Sequence, residues 1–188
     1  GERVVLVPNI ILKDKHDCEH CVCRRADLGE NYCPNAFFAS SNYNGFAREY
    51  VNYPVDYLLK IPVNLEPRLA TFTELISVAI SAYRRLNLKG DETIGVWGDG
   101  VLGYILSTTL RYIHQGKIVV VGKDEDKLRQ FKAHAQYLAG DPKIFEEELQ
   151  IAYECVGGRF SAEAINEIID QIVVGGRIVL TGVAEEQI

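Results

Sequence analysis

The stretch Thr93-Ile-Gly-Val-Trp-Gly-Asp-Gly-Val-Leu-Gly103 constrains this chain more than any other. Gly98, Gly100 and Gly103 spell GxGxxG. The triplet follows an apolar run closing on Val96 and Trp97 and precedes Leu102, Ile105, Leu106, Leu110 and Ile113 at helical spacing. A strand, a tight glycine turn and a helix in that order open a dinucleotide-binding βαβ unit. Gly98 permits the turn, Gly100 lets a pyrophosphate approach the backbone, and Gly103 lets the helix pack closely on the strand. The phosphates then sit on the free N–H groups and positive dipole end of the helix. The whole turn, Gly98, Asp99, Gly100, Val101, Leu102 and Gly103, is therefore a cofactor-binding candidate. The bland alternative is a glycine-rich turn that binds nothing.

A second apolar run, Lys117-Ile-Val-Val-Val121, is expected to lie parallel to the first. In NAD-binding folds a carboxylate about 20 residues past the glycines accepts the ribose hydroxyls. Counting from Gly103, that place falls on Gly122, which has no side chain, and Lys123 comes next. A missing carboxylate removes repulsion against a 2′-phosphate and an adjacent cation attracts it, so these residues favour NADP over NAD. The alternative is that Asp124 or Glu125 takes the carboxylate role after a one-turn shift.

From Thr93 onward, strands and helices alternate. Asp124 is expected to open a polar helix through Leu128, Phe131 and Ala135, and residues 136–150 to hide one short strand. Ile151–Cys155 reads as a strand ended by Gly157-Gly158. Ser161 is expected to cap a helix with Ile165, Ile168, Ile169 and Ile172 on one face. Gly175-Gly176 stops it, and Arg177-Ile-Val-Leu180 is the next strand. Such alternation means an α/β fold, a parallel sheet wrapped by helices. Ligands bind at the carboxyl ends of such strands, at the topological switch point. That singles out Glu154, Val156 and Gly157 after one strand and Thr181, Gly182 and Val183 after another as nicotinamide neighbours, with plain loop chemistry as the alternative. Cys155 joins the cofactor-binding candidates by position, and a buried small thiol suits it better than a nucleophile.

Residues 1 to about 66 read differently, as β-rich and loop-rich. Arg3-Val-Val-Leu-Val7 is a strand candidate, and Asn44-Gly-Phe-Ala-Arg-Glu-Tyr-Val51 reads as a strand pair entered through a turn. Leu69 to about Leu86 shows helical spacing, ended by Asn87-Leu-Lys-Gly-Asp91. Four of the five cysteines cluster at Cys18, Cys21, Cys23 and Cys33. Closely spaced thiols without a disulfide framework suit tetrahedral Zn²⁺, which contributes folding free energy when the loop closes on it. One residue separates Cys21 from Cys23, which strains coordination by both, so His20 or a water is the alternative ligand. Free thiols, or a single disulfide, are the bland reading.

Composition removes several function classes. The net charge of −6 leaves no basic stripe for nucleic acid. No apolar run approaches the ~18 residues that span a bilayer. No charged-then-apolar leader opens the chain, and five cysteines are too few and too clustered for a disulfide scaffold. The expectation is a cytoplasmic protein without a membrane segment.

A cysteine loop followed by a GxGxxG α/β domain resembles the medium-chain dehydrogenase/reductases, the zinc alcohol dehydrogenase-like family. Gly1-Glu-Arg-Val-Val5 is similar to its GDRV strand, Gly45-Phe-Ala-Arg-Glu-Tyr50 to its GGFAEY strand and Gly175-Gly-Arg-Ile-Val179 to its GGRIV strand. The cysteine loop is similar to the structural zinc lobe, although the family spacing is CxxCxxCx7C. Here the third cysteine comes one residue early and the last gap is nine residues. The resemblance implies a Rossmann-type doubly wound parallel sheet over residues 67–188, incomplete at its end. Before it, residues 1–66 would be part of a β-rich GroES-like catalytic domain with a zinc lobe.

Within that family, Phe72-Thr-Glu-Leu-Ile-Ser-Val78, Ile94-Gly-Val-Trp-Gly-Asp-Gly100, Leu102-Gly-Tyr-Ile105 and Glu154-Cys-Val-Gly-Gly158 resemble the NADPH-dependent ribulose-5-phosphate reductases. These make ribitol 5-phosphate for CDP-ribitol, a precursor of teichoic acids and capsules. The resemblance implies a sugar-phosphate substrate, NADP and zinc as cofactors, a homodimer, and a cytidylyltransferase partner or fused domain. It also implies that Glu74 lies at a catalytic zinc, as ligand or through its water; a helix N-terminal glutamate favoured by the dipole is the alternative. The family's remaining catalytic ligands, a cysteine and a His-Glu pair, lie upstream of the segment matching Gly1, so the chain is expected to be the middle of a longer enzyme. Two rivals stay open: an NAD-dependent polyol or alcohol dehydrogenase of the same fold, and a nucleotide-binding module without chemistry.

Overall fold

The structure, a computed structural model, describes residues 1–11, 33–183 and 185. The chain divides into two compact units, Gly1–Glu74 and Leu75–Ile188.

In the first unit, β1 (Val4–Leu6) pairs antiparallel with β4 (Leu58–Lys60), Val5 opposite Leu59. Between them, β2 (Asn9–Ile10) pairs with β3 (Phe37–Phe38). Ile11, Cys33 and Ala36 form a small core, and the Tyr57 hydroxyl spans both the N–H and the C=O of Ile11 at 3.1 Å. The strand pair expected over Asn44–Val51 does not form: this stretch is bends and irregular backbone. Phe46 packs edge-on against Tyr53 instead, with ring centroids 5.3 Å apart. A Cβ at Gly45 would lie 2.1 Å from Ser40 Oγ, so the glycine admits a tight turn of the segment after β3. Helix α1 (Pro67–Ala70) starts on a proline, whose missing N–H costs nothing there, and α2 (Thr73–Arg85) follows.

The second unit is a five-stranded, all-parallel sheet. Its strands are β5 (Ile94–Trp97), β6 (Ile118–Gly122), β7 (Ala135–Leu138), β8 (Leu149–Glu154) and β9 (Ile172–Leu180), in the order β7-β6-β5-β8-β9. The central strands β5 and β6, and β8 apart from Gln150, are buried on both faces, which is why they read as apolar runs. On one face α2, α3 (Val101–Ile113) and α4 (Glu125–Leu128) supply Ala79, Leu106, Leu110 and Leu128 to a core with Ile94, Val96, Ile118, Val120 and Ile151. On the other, α5 (Ser161–Gln171) packs Ala164 and Ile168 on Trp97, Val119, Val121 and Ala152. Each fully buried large side chain is worth about 1.5–3 kcal/mol. The sheet is therefore doubly wound, as expected from the sequence. Gly95 is glycine for a packing reason: a Cβ there would lie 2.5 Å from the Trp97 ring and 3.1 Å from Leu149.

Three local expectations are corrected. The helix opened by Asp124 lasts one turn, and Ala135 is the first residue of β7, the hidden strand, whose burial alternates with period two. The Ser161 side chain caps nothing. It is the first residue of α5 after Phe160, and its buried hydroxyl has no hydrogen-bond partner among the described residues. Gly175-Gly176 does not stop α5, which ends at Gln171. The β-branched run Ile172-Val173-Val174 enters β9, and the glycines form a bulge inside that strand. Between Leu149 and Ile151 of β8 the partner moves from Ile172 to Arg177.

Candidate functional site

Neighbouring strands β5 and β8 send their crossovers to opposite sides of the sheet, β5 through α3 to β6 and β8 through α5 to β9. The crevice outside their carboxyl ends is the switch point of the fold. Gly98 donates its N–H to Val121 O at 2.8 Å, and Cys155 donates its N–H to Trp97 O at 2.8 Å, which ties three strand ends together.

The three glycines have separate reasons. Gly98 has φ +128, and a Cβ on it would meet the Cys155 carbonyl at 3.0 Å. At Gly103 a Cβ would stand 2.0 Å from Gly98 O, so the first turn of α3 touches the strand-end loop directly. Gly100 needs no glycine for the protein's own sake: its backbone is extended, and no atom of the described residues lies within 4 Å of where its Cβ would be. Open space there lies over the first N–H groups of α3, which have no intrahelical acceptors. A helix start of this kind can cradle an anion.

Asp99 reaches across to the end of β6. Its Oδ2 accepts the N–H groups of Lys123 and Asp124, both at 2.8 Å. Gly122 is glycine because Asp99 occupies its side-chain space, the hypothetical Cβ being 2.7 Å from Asp99 Cβ and 2.9 Å from Oδ2. The two alternative ribose carboxylates are engaged elsewhere. Asp124 caps α4 through the N–H groups of Asp126 and Lys127 at 3.0 and 3.2 Å, and Glu125 pairs with Arg129 at 2.8 Å.

Lys123 Nζ sits 3.0 Å from Glu163 Oε2 on the first turn of α5 and 4.8 Å from the centroid of the Phe160 ring. Both charged groups border a cavity of about 470 Å³ lined by Lys123, Leu138, Ala139, Gly140, Glu163 and Glu167. It opens at the carboxyl ends of β6 and β7. Arg159 stacks on the same Phe160 ring at 4.6 Å.

At the other side of the switch point, Glu154 is fully buried. Its Oε1 accepts the N–H groups of Val156 and Gly157 at 2.9 and 2.7 Å, and its backbone carbonyl accepts those of Thr181 and Gly182 at 3.0 Å. Gly158 donates to Val183 O at 2.7 Å. Glu154 thus binds the loops after β8 and β9 into one wall. Cys155 follows it, with Sγ 3.1 Å from Thr181 Oγ1. Burial pushes this thiol up to about 12, against a smaller opposing effect of the Thr181 contact, so it has no thiolate character for nucleophilic chemistry.

The crevice therefore gathers Gly98–Gly103, Gly122, Lys123, Cys155–Gly157 and Thr181–Val183 at adjoining strand ends. Glu74 lies apart in the sequence, exposed on the first turn of α2, where the positive helix end favours a carboxylate. Cys33 is buried in the first unit, while Cys18, Cys21, Cys23 and His20 lie outside the described residues. Among the described residues no group of three His, Cys, Asp or Glu could hold a metal ion. No helix among them is long and apolar enough to cross a membrane. Sequence reasoning missed Glu163, Phe160 and Arg159 beside Lys123; the available signal was the short charged opening of α5 right after Gly157-Gly158.

No family model matches the chain. It is 38% identical to a ribulose-5-phosphate reductase of Bacillus spizizenii, over 98% of this chain and 52% of the relative. It is 37% identical to ribulose-5-phosphate reductase 1 of Staphylococcus aureus, with the same coverage of 98% and 52%. Among solved structures, S. aureus TarJ in complex with NADPH matches 77% of this chain and 47% of its own with TM-score 0.71 and 35% identity. Galactitol-1-phosphate dehydrogenase from Escherichia coli matches all of this chain and 55% of its own, with TM-score 0.82 and 17% identity, a likeness of fold alone. The chain spans about half the length of the curated relatives it matches.

Proposed function

We propose that this chain, which belongs to the medium-chain dehydrogenase/reductase family, carries the cofactor-binding half of an NADPH-dependent reductase that converts ribulose 5-phosphate to ribitol 5-phosphate. The observation that carries the reading is the nucleotide crevice itself. An open anion cradle at Gly100 leads to a strand end where Gly122 offers no carboxylate, Asp124 and Glu125 are engaged elsewhere, and Lys123 borders a cavity. Relatives named ribulose-5-phosphate reductase, 33–38% identical, and the NADPH complex of TarJ support the same choice.

In this reading the cofactor's pyrophosphate lies on the first N–H groups of α3, over Gly100. Its adenosine end enters the cavity beside Lys123, whose ammonium meets the 2′-phosphate. The nicotinamide lies against Cys155–Gly157 and Thr181–Val183, held as one wall by Glu154. Reduction of the ketone takes one hydride from the dihydronicotinamide and one proton, leaving the secondary alcohol and NADP⁺. The wall's task is to hold one face of the ring toward the substrate and keep water away.

Zinc belongs to the reading through the family, with Cys18, Cys21, Cys23 and Cys33 for a structural ion and Glu74 near a catalytic one. The described residues do not assemble a metal site around Glu74. The product would feed CDP-ribitol for teichoic acid or capsule synthesis in the cytoplasm. A homodimer and a cytidylyltransferase partner or fused domain complete the proposal. The test is incubation of the full-length protein with NADPH and ribulose 5-phosphate, with ribitol 5-phosphate as the expected product; no turnover of this or other ketose phosphates overturns the substrate class.

A further inference from the structure

We infer that Glu163 is the counter-ion that tempers cofactor selectivity, by holding the Lys123 ammonium and opposing a 2′-phosphate in the same cavity. This rests on the reading of Lys123 as the 2′-phosphate partner. Lys123 and Glu163 come from different crossovers, after β6 and after β8, and meet at 3.0 Å across the cavity mouth. Their side chains are 59% and 65% exposed. An exposed pair of this kind is held weakly and opens readily to a competing anion. The second acidic group lining the cavity, Glu167, is engaged by the Gly140 N–H, which it accepts at 2.6 Å. Among the described residues, Glu163 is the carboxylate that pairs with the ammonium.

The chemistry then has a definite direction. A ribose 2′-phosphate brings almost two negative charges. To reach Lys123 it must displace the Glu163 carboxylate and remain near it. A ribose 2′-hydroxyl, by contrast, tolerates the existing ion pair. Glu163 therefore lowers affinity for NADP(H) while leaving NAD(H) nearly unaffected, and it moderates the preference that Lys123 creates. The ammonium also lies 4.8 Å from the Phe160 ring centroid, a contact independent of the carboxylate, on a ring shared with Arg159.

The experiment is a charge series at this position in the full-length protein: wild type, Glu163→Gln and Glu163→Lys, each titrated with NADPH and NADH at two salt concentrations. The ratio of the two dissociation constants is expected to shift toward NADPH by about two- to fivefold per charge step. Almost all of the change should fall in NADPH binding, and higher salt should diminish it. A merely structural role for the ion pair would move both cofactors together. If wild type prefers NADPH and Lys123→Met erases that preference, while the Glu163 series leaves the ratio flat, the role of Glu163 is overturned and the cofactor reading stands. If wild type prefers NADH, the cofactor reading itself falls, and this inference with it.

Discussion

Substituting alanine at Gly100 and at Gly103 separates the cofactor's need for glycine from the protein's. At Gly100 the added methyl meets no atom of the described residues within 4 Å and the backbone is extended, at φ −84. Loss of unfolded-state freedom stabilises by about 0.4–1 kcal/mol, while replacing a glycine N-cap by alanine costs a similar amount. The net change is about zero, and Tm should move by no more than about 2 °C. The same methyl stands where the pyrophosphate must lie. Losing two charge-assisted N–H bonds of about 1.5 kcal/mol each removes about 3 kcal/mol of binding, which is roughly 150-fold in Kd. At Gly103 the order reverses. A methyl 2.0 Å from Gly98 O meets backbone, and that backbone is pinned between Val121 O and the Cys155 carbonyl. Gly103→Ala should cost about 3 kcal/mol or more and lower Tm by about 10 °C. Calorimetric titration with NADPH and thermal melts of full-length variants read both quantities. A folded Gly100→Ala protein that binds NADPH within twofold of wild type would refute the cradle.

Gly122→Ala should destabilise by about 1–2 kcal/mol through its contact with Asp99, and by clearly less in an Asp99→Ala background. Strict additivity of the two in denaturant unfolding would contradict the shared space. Glu92 is buried, and although burial alone pushes its carboxyl up, the N–H groups of Lys89 and Gly90 and the nearby His114 outweigh that and hold it below the usual range. Its stabilisation is therefore present at neutral pH and disappears as pH falls below 4.5, where the unfolded chain takes up the proton first. Melts of wild type and Glu92→Gln should converge on acidification, and a constant gap would count against it. Cys155 should resist iodoacetamide at pH 8 in the native protein and react after denaturation, as mass spectrometry of the digested peptide would read.

What the sequence made legible was what short-range physics controls. The apolar runs, the glycine turn and the helical spacing after it predicted β5, α3, β6 and β8 closely, because strands buried on both faces leave no polar alternation to misread. The failures came where local pattern and tertiary pairing compete. Residues 125–135 carry helix-compatible spacing, yet β6 offers a free edge, and Ala135–Leu138 takes it. Gly175-Gly176 punctuates the sequence as a helix stop but is absorbed as a strand bulge by pairing with β8. At the site, Gly98–Gly103 and Gly122-Lys123 were visible from spacing. The engagement of Asp99 with the end of β6, and of Glu163 with Lys123, depends on which strands neighbour each other, 24 and 40 residues apart in sequence.

The central claim is tested most directly by initial rates of cofactor oxidation by the full-length protein, with ribulose 5-phosphate and either NADPH or NADH. The account predicts turnover with NADPH and a kcat/KM at least about tenfold above that with NADH, the equivalent of 1.4 kcal/mol at the 2′-phosphate. Equal or faster turnover with NADH would contradict it.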